Sequence, residues 1–147
     1  MAGRGNKEET LVWVKHPDRG GLKISEAVKR ETTERLERYA QNHFAGKYTR
    51  LDVRFRRQFC YVDVYTKPCV KKNWKSPDGL ESREESIERL RNTPTHLCRL
   101  RYFGENRWSF GFFGYSHENY ELSIFPSGDF YGPPEQAFAA AASAYLS

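Results

Sequence analysis

The sequence predicts an α+β fold in which one antiparallel sheet, of about five to six strands, is packed by two long helices. The chain has 147 residues, 38% of them hydrophobic and 15% aromatic, which is enough for one domain with a substantial core. Nine aromatic residues fall within residues 102–125, in short apolar runs divided by turn-like breaks, which is typical of an antiparallel meander. Helical periodicity marks residues 26–44 and the alanine-rich C-terminus.

Charge and hydropathy limit the class of protein. The formal net charge of +5 comes from 24 Lys and Arg against 19 Asp and Glu, which favours acidic partners without reaching the charge of a packaging protein. No stretch approaches the roughly 20 apolar residues of a membrane span, and residues 1–10 lack the apolar region of a signal peptide. We therefore expect a soluble, cytoplasmic protein with no membrane partner.

The chain is expected to begin with a flexible tail over residues 1–10, which are mostly polar and show no periodicity. A single domain is predicted over residues 11–147. Within it, residues 11–15 form a short β-like run that predicts an edge strand. The Pro- and Gly-containing residues 16–21 predict a plain turn.

Residues 26–44 predict the long N-terminal helix, with Ser25 as its N-cap. The residues at helical spacing on its apolar side are Val28, Leu36, Tyr39, Ala40 and His43. On that side, His43 is expected to be partly buried and hydrogen bonded rather than a ligand or a base.

Residues 50–66 predict a β-hairpin with its loop at Arg57 and Gln58, and strand alternation sorts the other residues onto two faces. The predicted core face pairs Leu51 with Val64, Val53 with Val62 and Phe55 with Cys60. The opposite face pairs Arg50 with Tyr65, Asp52 with Asp63, Arg54 with Tyr61 and Arg56 with Phe59. The hairpin thus predicts a row of cations and rings on the side away from the core.

Residues 67–94 are predicted to form an insertion made of a loop and a short helix. The basic and aromatic tip of the loop carries Lys71, Lys72 and Trp74. Ser82 and Glu85 form a capping box at the start of the helix, and Ile87 with Leu90 predicts its narrow apolar stripe.

The meander is predicted to turn at residues 104–106 and to complete the core by pairing Tyr102 with Trp108, Leu100 with Phe110 and Cys98 with Phe112. The other face is predicted to carry Arg99, Arg101, Phe103, Arg107, Ser109 and Phe113. Two hairpins therefore predict the same mixture of cations and rings on one face. Gly111 and Gly114 are expected to mark a β-bulge before a last strand at residues 120–125.

The C-terminal helix is predicted to begin at Pro133 and Pro134, because a proline in the first turn loses no hydrogen bond. Its packing stripe is Phe138, Ala141, Ala142 and Tyr145. The alanine run permits close approach of this helix to the sheet.

Three cysteines, an odd number, predict free thiols. A zinc site remains an alternative, since His96 and Cys98 stand two apart on a strand and Cys60 and Cys69 precede them. This spacing matches no closed zinc motif, so we expect no metal and no other cofactor.

Three segments carry a resemblance to known proteins: YTRLDVRF at residues 48–55, QFCYVD at residues 58–63 and FPSGDFYG at residues 125–132. The pattern resembles a family of small bacterial proteins and covers about residues 25–146. The resemblance implies no activity, ligand or site residue, because that family is uncharacterised.

The leading hypothesis is an intracellular protein that binds single-stranded RNA or DNA, with arginines on phosphates and rings on bases. The predicted contact residues are Arg50, Arg54, Arg56, Phe59, Tyr61, Tyr65, Arg99, Arg101 and Phe103 in the sheet, with Lys71, Lys72 and Trp74 in the loop. No dedicated RNA- or DNA-binding motif is present. Equally, the arginines and rings simply cover the outer face of a one-sided sheet.

Two other classes stay open. A protein-interaction module, or an accessory subunit of a larger complex, would use the same face or the Trp74 loop, since interfaces also enrich aromatics and arginine. A small nuclease-like enzyme would use His117, Glu118 and Asp129 near the strand ends. No catalytic signature supports the enzyme, so we expect a binding protein without catalytic residues.

Overall fold

A computed structural model describes residues 16–146, and within them the chain forms three helices and five strands. The helices are α1 (Glu26–His43), α2 (Arg83–Arg91) and α3 (Pro134–Tyr145). The strands are β1 (Arg50–Arg56), β2 (Phe59–Tyr65), β3 (Thr95–Tyr102), β4 (Trp108–Gly114) and β5 (Asn119–Ser123). The predicted α+β class is confirmed. The predicted tail and first strand, residues 1–10 and 11–15, lie outside the described residues.

The five strands form one antiparallel sheet in chain order, β1-β2-β3-β4-β5, so each strand pairs with the next one. The pairing of β1 with β2 and of β3 with β4 has the register that alternation predicted, from Arg56 opposite Phe59 to Tyr102 opposite Trp108. Arg57 and Asn106 adopt the left-handed conformation in the two turns, at φ 56° and 53°. Both hairpins are therefore confirmed in register as well as in position.

Helices α1 and α3 cover one face of the sheet and enclose the core. The residues of this core cluster are Ile24, Leu36, Ala40, Cys60, Val62, Val64, Leu97, Cys98, Leu100, Trp108, Phe110, Phe125, Ala137, Phe138, Ala141, Ala142 and Leu146. Helix α3 lies against β3 and β4, where its alanines allow close approach. Arg35 joins the two helices through a bidentate pair with Glu135, at 2.7 and 2.9 Å.

The two predicted helix caps are confirmed. The Val28 amide donates to Ser25 Oγ at 3.2 Å, and Ser82 with Glu85 forms the reciprocal capping box of α2. Within the described residues, no helix is both long enough and apolar enough to cross a bilayer.

The predicted bulge at Gly111 and Gly114 is wrong, because β4 pairs in continuous register with both of its neighbours. Gly111 serves a different need: a Cβ there would lie 2.7 Å from the backbone oxygen of Glu121. The bulge instead separates Val62 from Asp63 along β2, where Leu97 of β3 is the extra residue. Leu97 therefore turns into the core.

Three predictions about individual side chains are also wrong. His43 is exposed at the end of α1 and stacks on Tyr39, with ring centroids 4.2 Å apart. The short helix α2 exposes Leu90 and buries Ser86, whose hydroxyl donates to Glu81. Tyr145 is exposed rather than part of the packing stripe, because its hydroxyl reaches out to the carbonyl of Phe113.

The four residues considered for a zinc site, Cys60, Cys69, His96 and Cys98, do not come together in the structure. Cys60 and Cys98 are buried in the core, whereas Cys69 is exposed. The bulge places His96 on the opposite side of the sheet from Cys98, where it contacts Asp63. Over residues 16–146, no group of three or more His, Cys, Asp or Glu residues is arranged to hold a metal ion.

Trp108 provides a test of the assigned core face. Its ring is 1% exposed and packs at 4.6 Å from Tyr102, while its backbone forms two hydrogen bonds with Gly132. Trp108→Ala is expected to lower the free energy of unfolding by about 3 to 5 kcal/mol, because it leaves a large cavity. Trp74→Ala in the loop is the matched control and should cost much less. Equal denaturation midpoints for the two variants would contradict the assignment.

Candidate nucleic-acid interface

The face of the sheet turned away from α1 and α3, called here the open face, carries the candidate site. Its residues are Arg50, Asp52, Arg54, Arg56, Phe59, Tyr61, Asp63, Tyr65, His96, Arg99, Arg101, Ser109, Gly111, Phe113, Tyr120 and Leu122. Five arginines against two aspartates give this face an excess of positive charge. One row of paired residues crosses all five strands. It alternates charged and aromatic side chains from β1 to β3, and it has small or apolar residues on β4 and β5. That row is Arg54, Tyr61, Arg99, Gly111 and Leu122.

Guanidinium groups lie over the aromatic rings of this face. The Arg50 guanidinium carbon is 3.9 Å from the ring centroid of Tyr65. The ring of Phe59 contacts two arginines, Arg99 at 4.5 Å and Arg101 at 4.6 Å. Each such contact contributes about 0.5 to 1 kcal/mol at an exposed site. The open face therefore presents guanidinium groups above and between aromatic rings.

A buried carboxylate organises the β1 side of the face. Asp63 is 2% exposed and accepts from Arg54 Nη2 at 2.8 Å and from His96 Nδ1 at 2.9 Å. Because an ionised carboxylate only accepts, Nδ1 of His96 carries the proton. Arg54 also lies 3.3 Å from Asp52. Two carboxylates thus balance the charge of Arg54, although its guanidinium remains 5.5 Å from the Tyr61 ring.

The remaining arginines of the face are not balanced in this way. Among the described residues, no ion pair engages Arg50, Arg56, Arg99 or Arg101. Burial lowers the pKa of Arg101, and the neighbouring charge of Arg99 lowers it further. The positive charge of the open face is therefore concentrated on β3 and at the ends of β1.

Tyr120 extends the aromatic surface from β2 across to β5. Its ring lies 5.8 Å from Tyr61 and 5.1 Å from Phe113, and Arg99 lies over it at 5.3 Å. Burial raises the pKa of Tyr120 to about 12, and the charge of Asp63 acts in the same direction. The phenol therefore remains protonated at neutral pH and can donate a hydrogen bond.

The turn at residues 16–21 covers one corner of the open face. Ser109 donates its hydroxyl to the carbonyl of Pro17, and Arg101 donates to the carbonyl of Gly20 at 2.8 Å. The Leu22 amide donates to the carbonyl of Tyr102 at 2.7 Å. A cleft of about 280 Å³ remains between the turn and β3, β4 and β5.

The structure brings together most of the residues predicted from the sequence, and it separates four of them from the rest. The residues brought together are Arg50, Arg54, Arg56, Phe59, Tyr61, Tyr65, Arg99 and Arg101. Phe103 is 7% exposed and packs edge-on against Tyr131 at 5.3 Å, so its ring is not offered to a ligand. The loop carrying Lys71, Lys72 and Trp74 shows no hydrogen bond, ion pair or ring contact to the open face within the described residues.

The residues of the enzyme alternative lie in exposed turns. His117 Nδ1 is 3.1 Å from Glu121 Oε1, at the turn between β4 and β5. Glu118 follows in the left-handed conformation, at φ 52°. Asp129 accepts from Ser127 in a separate turn. Among the described residues, no hydrogen bond or ion pair joins Asp129 to His117 or Glu118.

The fold and the open face together define an α+β protein with a five-stranded antiparallel sheet, with helices α1 and α3 on one side and an arginine-aromatic surface on the other. Comparisons with protein-family models, with curated proteins and with solved structures gave no match. The function is therefore inferred from the geometry of this surface.

The raised pKa of Tyr120 gives a direct test of the open face. In a ¹³C NMR titration of the tyrosine rings, Tyr120 should ionise near pH 12, above the usual value of about 10. Asp63→Asn should lower this pKa, because it removes a negative charge that opposes ionisation. Asp52→Asn, on the exposed side of Arg54, is the control and should change it less. Ionisation of Tyr120 near pH 10 in the native protein would contradict the described packing.

Proposed function

We propose that this protein binds single-stranded RNA or DNA through its open face. The observation that supports the proposal is the arrangement of guanidinium groups over rings on adjacent strands, with Arg50 over Tyr65 and with Arg99 and Arg101 over Phe59. Bases of a single strand stack on aromatic rings and on guanidinium planes, while phosphates pair with arginine. The face offers both chemistries side by side.

The shape of the surface favours a single strand over a duplex. Strands β1 and β2 have seven residues each, so the surface extends about 20 Å along them. It is one broad face of a sheet on which the bases of a single strand can lie against the rings. In a duplex the faces of the bases are stacked on one another, so the rings would have nothing to contact.

The charge balance assigns different roles to the arginines. Arg50, Arg56 and Arg99 have no carboxylate partner among the described residues, so each can neutralise a phosphate. Arg54 is already paired with Asp52 and Asp63, so its main role is to hold the surface in place. Removal of Arg54 should therefore affect salt dependence less than removal of Arg56 or Arg99.

A protein partner is the second candidate, and one observation favours it. Leu122 and Ile124 are 41% and 54% exposed along the edge of the sheet, where an apolar contact would cover them. These residues lie at the β5 side, away from the stacked arginines of β1 and β2. A protein partner would account for the exposed Leu122 and Ile124 but not for the arginines that lie over rings. Nucleic acid would account for those arginines, so nucleic acid remains our proposed ligand.

The charge assignment predicts a change in salt dependence. In titrations of a labelled mixed-sequence oligonucleotide, Arg56→Gln with Arg99→Gln should reduce the slope of log K against log salt by about 1.4, because each phosphate contact contributes about 0.7 on a single strand. Arg54→Gln should change the slope less.

The matched control is the double variant Arg30→Gln with Arg38→Gln, which removes the same charge from the exposed side of α1, on the opposite layer. It should leave the slope nearly unchanged. An equal effect of both double variants would mean that only net charge matters, and no binding at low salt would remove nucleic acid as the ligand.

Stacking predicts a loss of affinity that does not depend on salt. Tyr61→Ala should weaken oligonucleotide binding by about 1 to 3 kcal/mol at every salt concentration, since a base then loses its ring contact. Tyr145→Ala removes an exposed tyrosine from α3 and is the control. Thermal denaturation checks that both variants fold. Unchanged affinity in a folded Tyr61→Ala variant would show that no base stacks there.

A further inference from the structure

The cleft between the 16–21 turn and the open face is shaped by the two smallest side chains of that face. The β4 residues that line the cleft are Ser109, Phe110 and Gly111; of these, Ser109 and Gly111 belong to the open face, between the long side chains of β3 and those of β5. Gly111 cannot be larger, because a Cβ would lie 2.7 Å from a backbone oxygen of β5. The floor of the cleft at Gly111 is therefore formed by the backbone.

The turn forms the remaining wall and is held firmly. The hydroxyl of Ser109 donates to Pro17, and the guanidinium of Arg101 donates to Gly20. These bonds place Asp18 on the wall of the cleft, near Arg101. Hydrogen bonds within the protein thus hold the wall that the turn forms.

The walls differ in chemistry. On the β3 side, Arg99 and Arg101 both line the cleft from positions two apart on the strand. Burial lowers the pKa of Arg101, the charge of Arg99 lowers it further, and the charge of Asp18 opposes both effects. An anion between these two groups would relieve their repulsion. On the β5 side, Tyr120 and Leu122 offer a ring and an apolar surface. Asp18 adds a carboxylate that accepts hydrogen bonds from hydroxyl or amino groups.

We propose that this cleft binds a single nucleotide, with its phosphate at Arg99 and Arg101, its base against Tyr120 and Leu122, and Asp18 accepting from a sugar hydroxyl or a base amino group. The volume of about 280 Å³ lies just below the roughly 300 to 1,000 Å³ of pockets for drug-sized ligands, so it suits a ligand no larger than one such unit. The inference rests on the proposed function, since it assigns one subsite of the same face. The bound nucleotide is either one unit of a strand or a free nucleoside monophosphate, and the chemistry of recognition is the same.

Adenosine monophosphate is the probe, and binding to the full chain is measured by NMR titration or calorimetry. Leu122→Trp fills the cleft from its exposed edge and should weaken binding of the probe by about tenfold or more. Ile124→Trp is the matched control, because Ile124 is exposed nearby but does not line the cleft. It should change binding by less than about twofold. Thermal denaturation confirms that both variants fold.

The same two variants are titrated with the mixed-sequence oligonucleotide. This titration distinguishes a nucleotide that is one unit of a strand from a free nucleoside monophosphate. If the cleft holds one unit of a strand, the oligonucleotide displaces adenosine monophosphate and Leu122→Trp weakens both ligands. If the cleft holds a free nucleotide, the oligonucleotide does not displace the probe, and Leu122→Trp leaves the affinity for the oligonucleotide unchanged. Either pattern, with Ile124→Trp unaffected, supports the cleft.

The inference is overturned if Leu122→Trp changes binding of neither ligand, or if Ile124→Trp weakens binding as much as Leu122→Trp does. Its failure is separable from that of the proposed function. If the oligonucleotide binds in a salt-dependent manner, Leu122→Trp does not weaken that binding and the probe does not bind, the nucleotide site in the cleft is rejected and the proposed function of the open face is retained. If the probe binds and the oligonucleotide does not, the nucleotide site in the cleft is retained and the binding of single-stranded RNA or DNA is rejected.

Discussion

The rest of the structure depends on the pairing register of β1 and β2, which is set at the turn of Arg57 and Gln58. A slip of one residue would exchange the two faces of a strand, which would carry arginines into the core and valines to the surface. Burial of an unpaired charge costs several kcal/mol, so the sequence strongly disfavours the slip. The same constraint that protects the core therefore aligns the arginines and rings of the open face.

The second element that determines this face is the carboxylate of Asp63. A buried acid on the outer side of a sheet is costly unless it is paired, and here Arg54 and His96 both donate to it. The bulge at Leu97 makes this possible, because it brings His96 opposite Asp63 while Cys98 returns to the core. The bulge and the ion pairs thus act together at Asp63, and among the described residues they leave Arg50, Arg56 and Arg99 without a carboxylate partner.

Local pattern was sufficient for the helices, for both hairpin registers and for eight of the predicted face residues, because strand alternation acts between neighbours in the chain. It failed where distant segments meet. The hydrogen bond from Ser109 to Pro17 joins residues far apart in sequence, so local sequence pattern does not predict it. His96 was missed because a bulge shifts the alternation. Phe103 has the correct parity but lies beyond the strand end, where its ring turns to Tyr131. Tyr120 was predicted in a strand but was not assigned to the site.

Photo-crosslinking tests the central claim most directly, because it reports which surface contacts the bases. A short mixed-sequence oligonucleotide that carries 5-iodouridine is bound to the full chain, irradiated, and the crosslinked peptides are mapped by mass spectrometry. We expect crosslinks at the rings of the open face, namely Phe59, Tyr61, Tyr65 and Tyr120. Crosslinks confined to the Trp74 loop or to the helices α1 and α3, or none under conditions of measured binding, would contradict it.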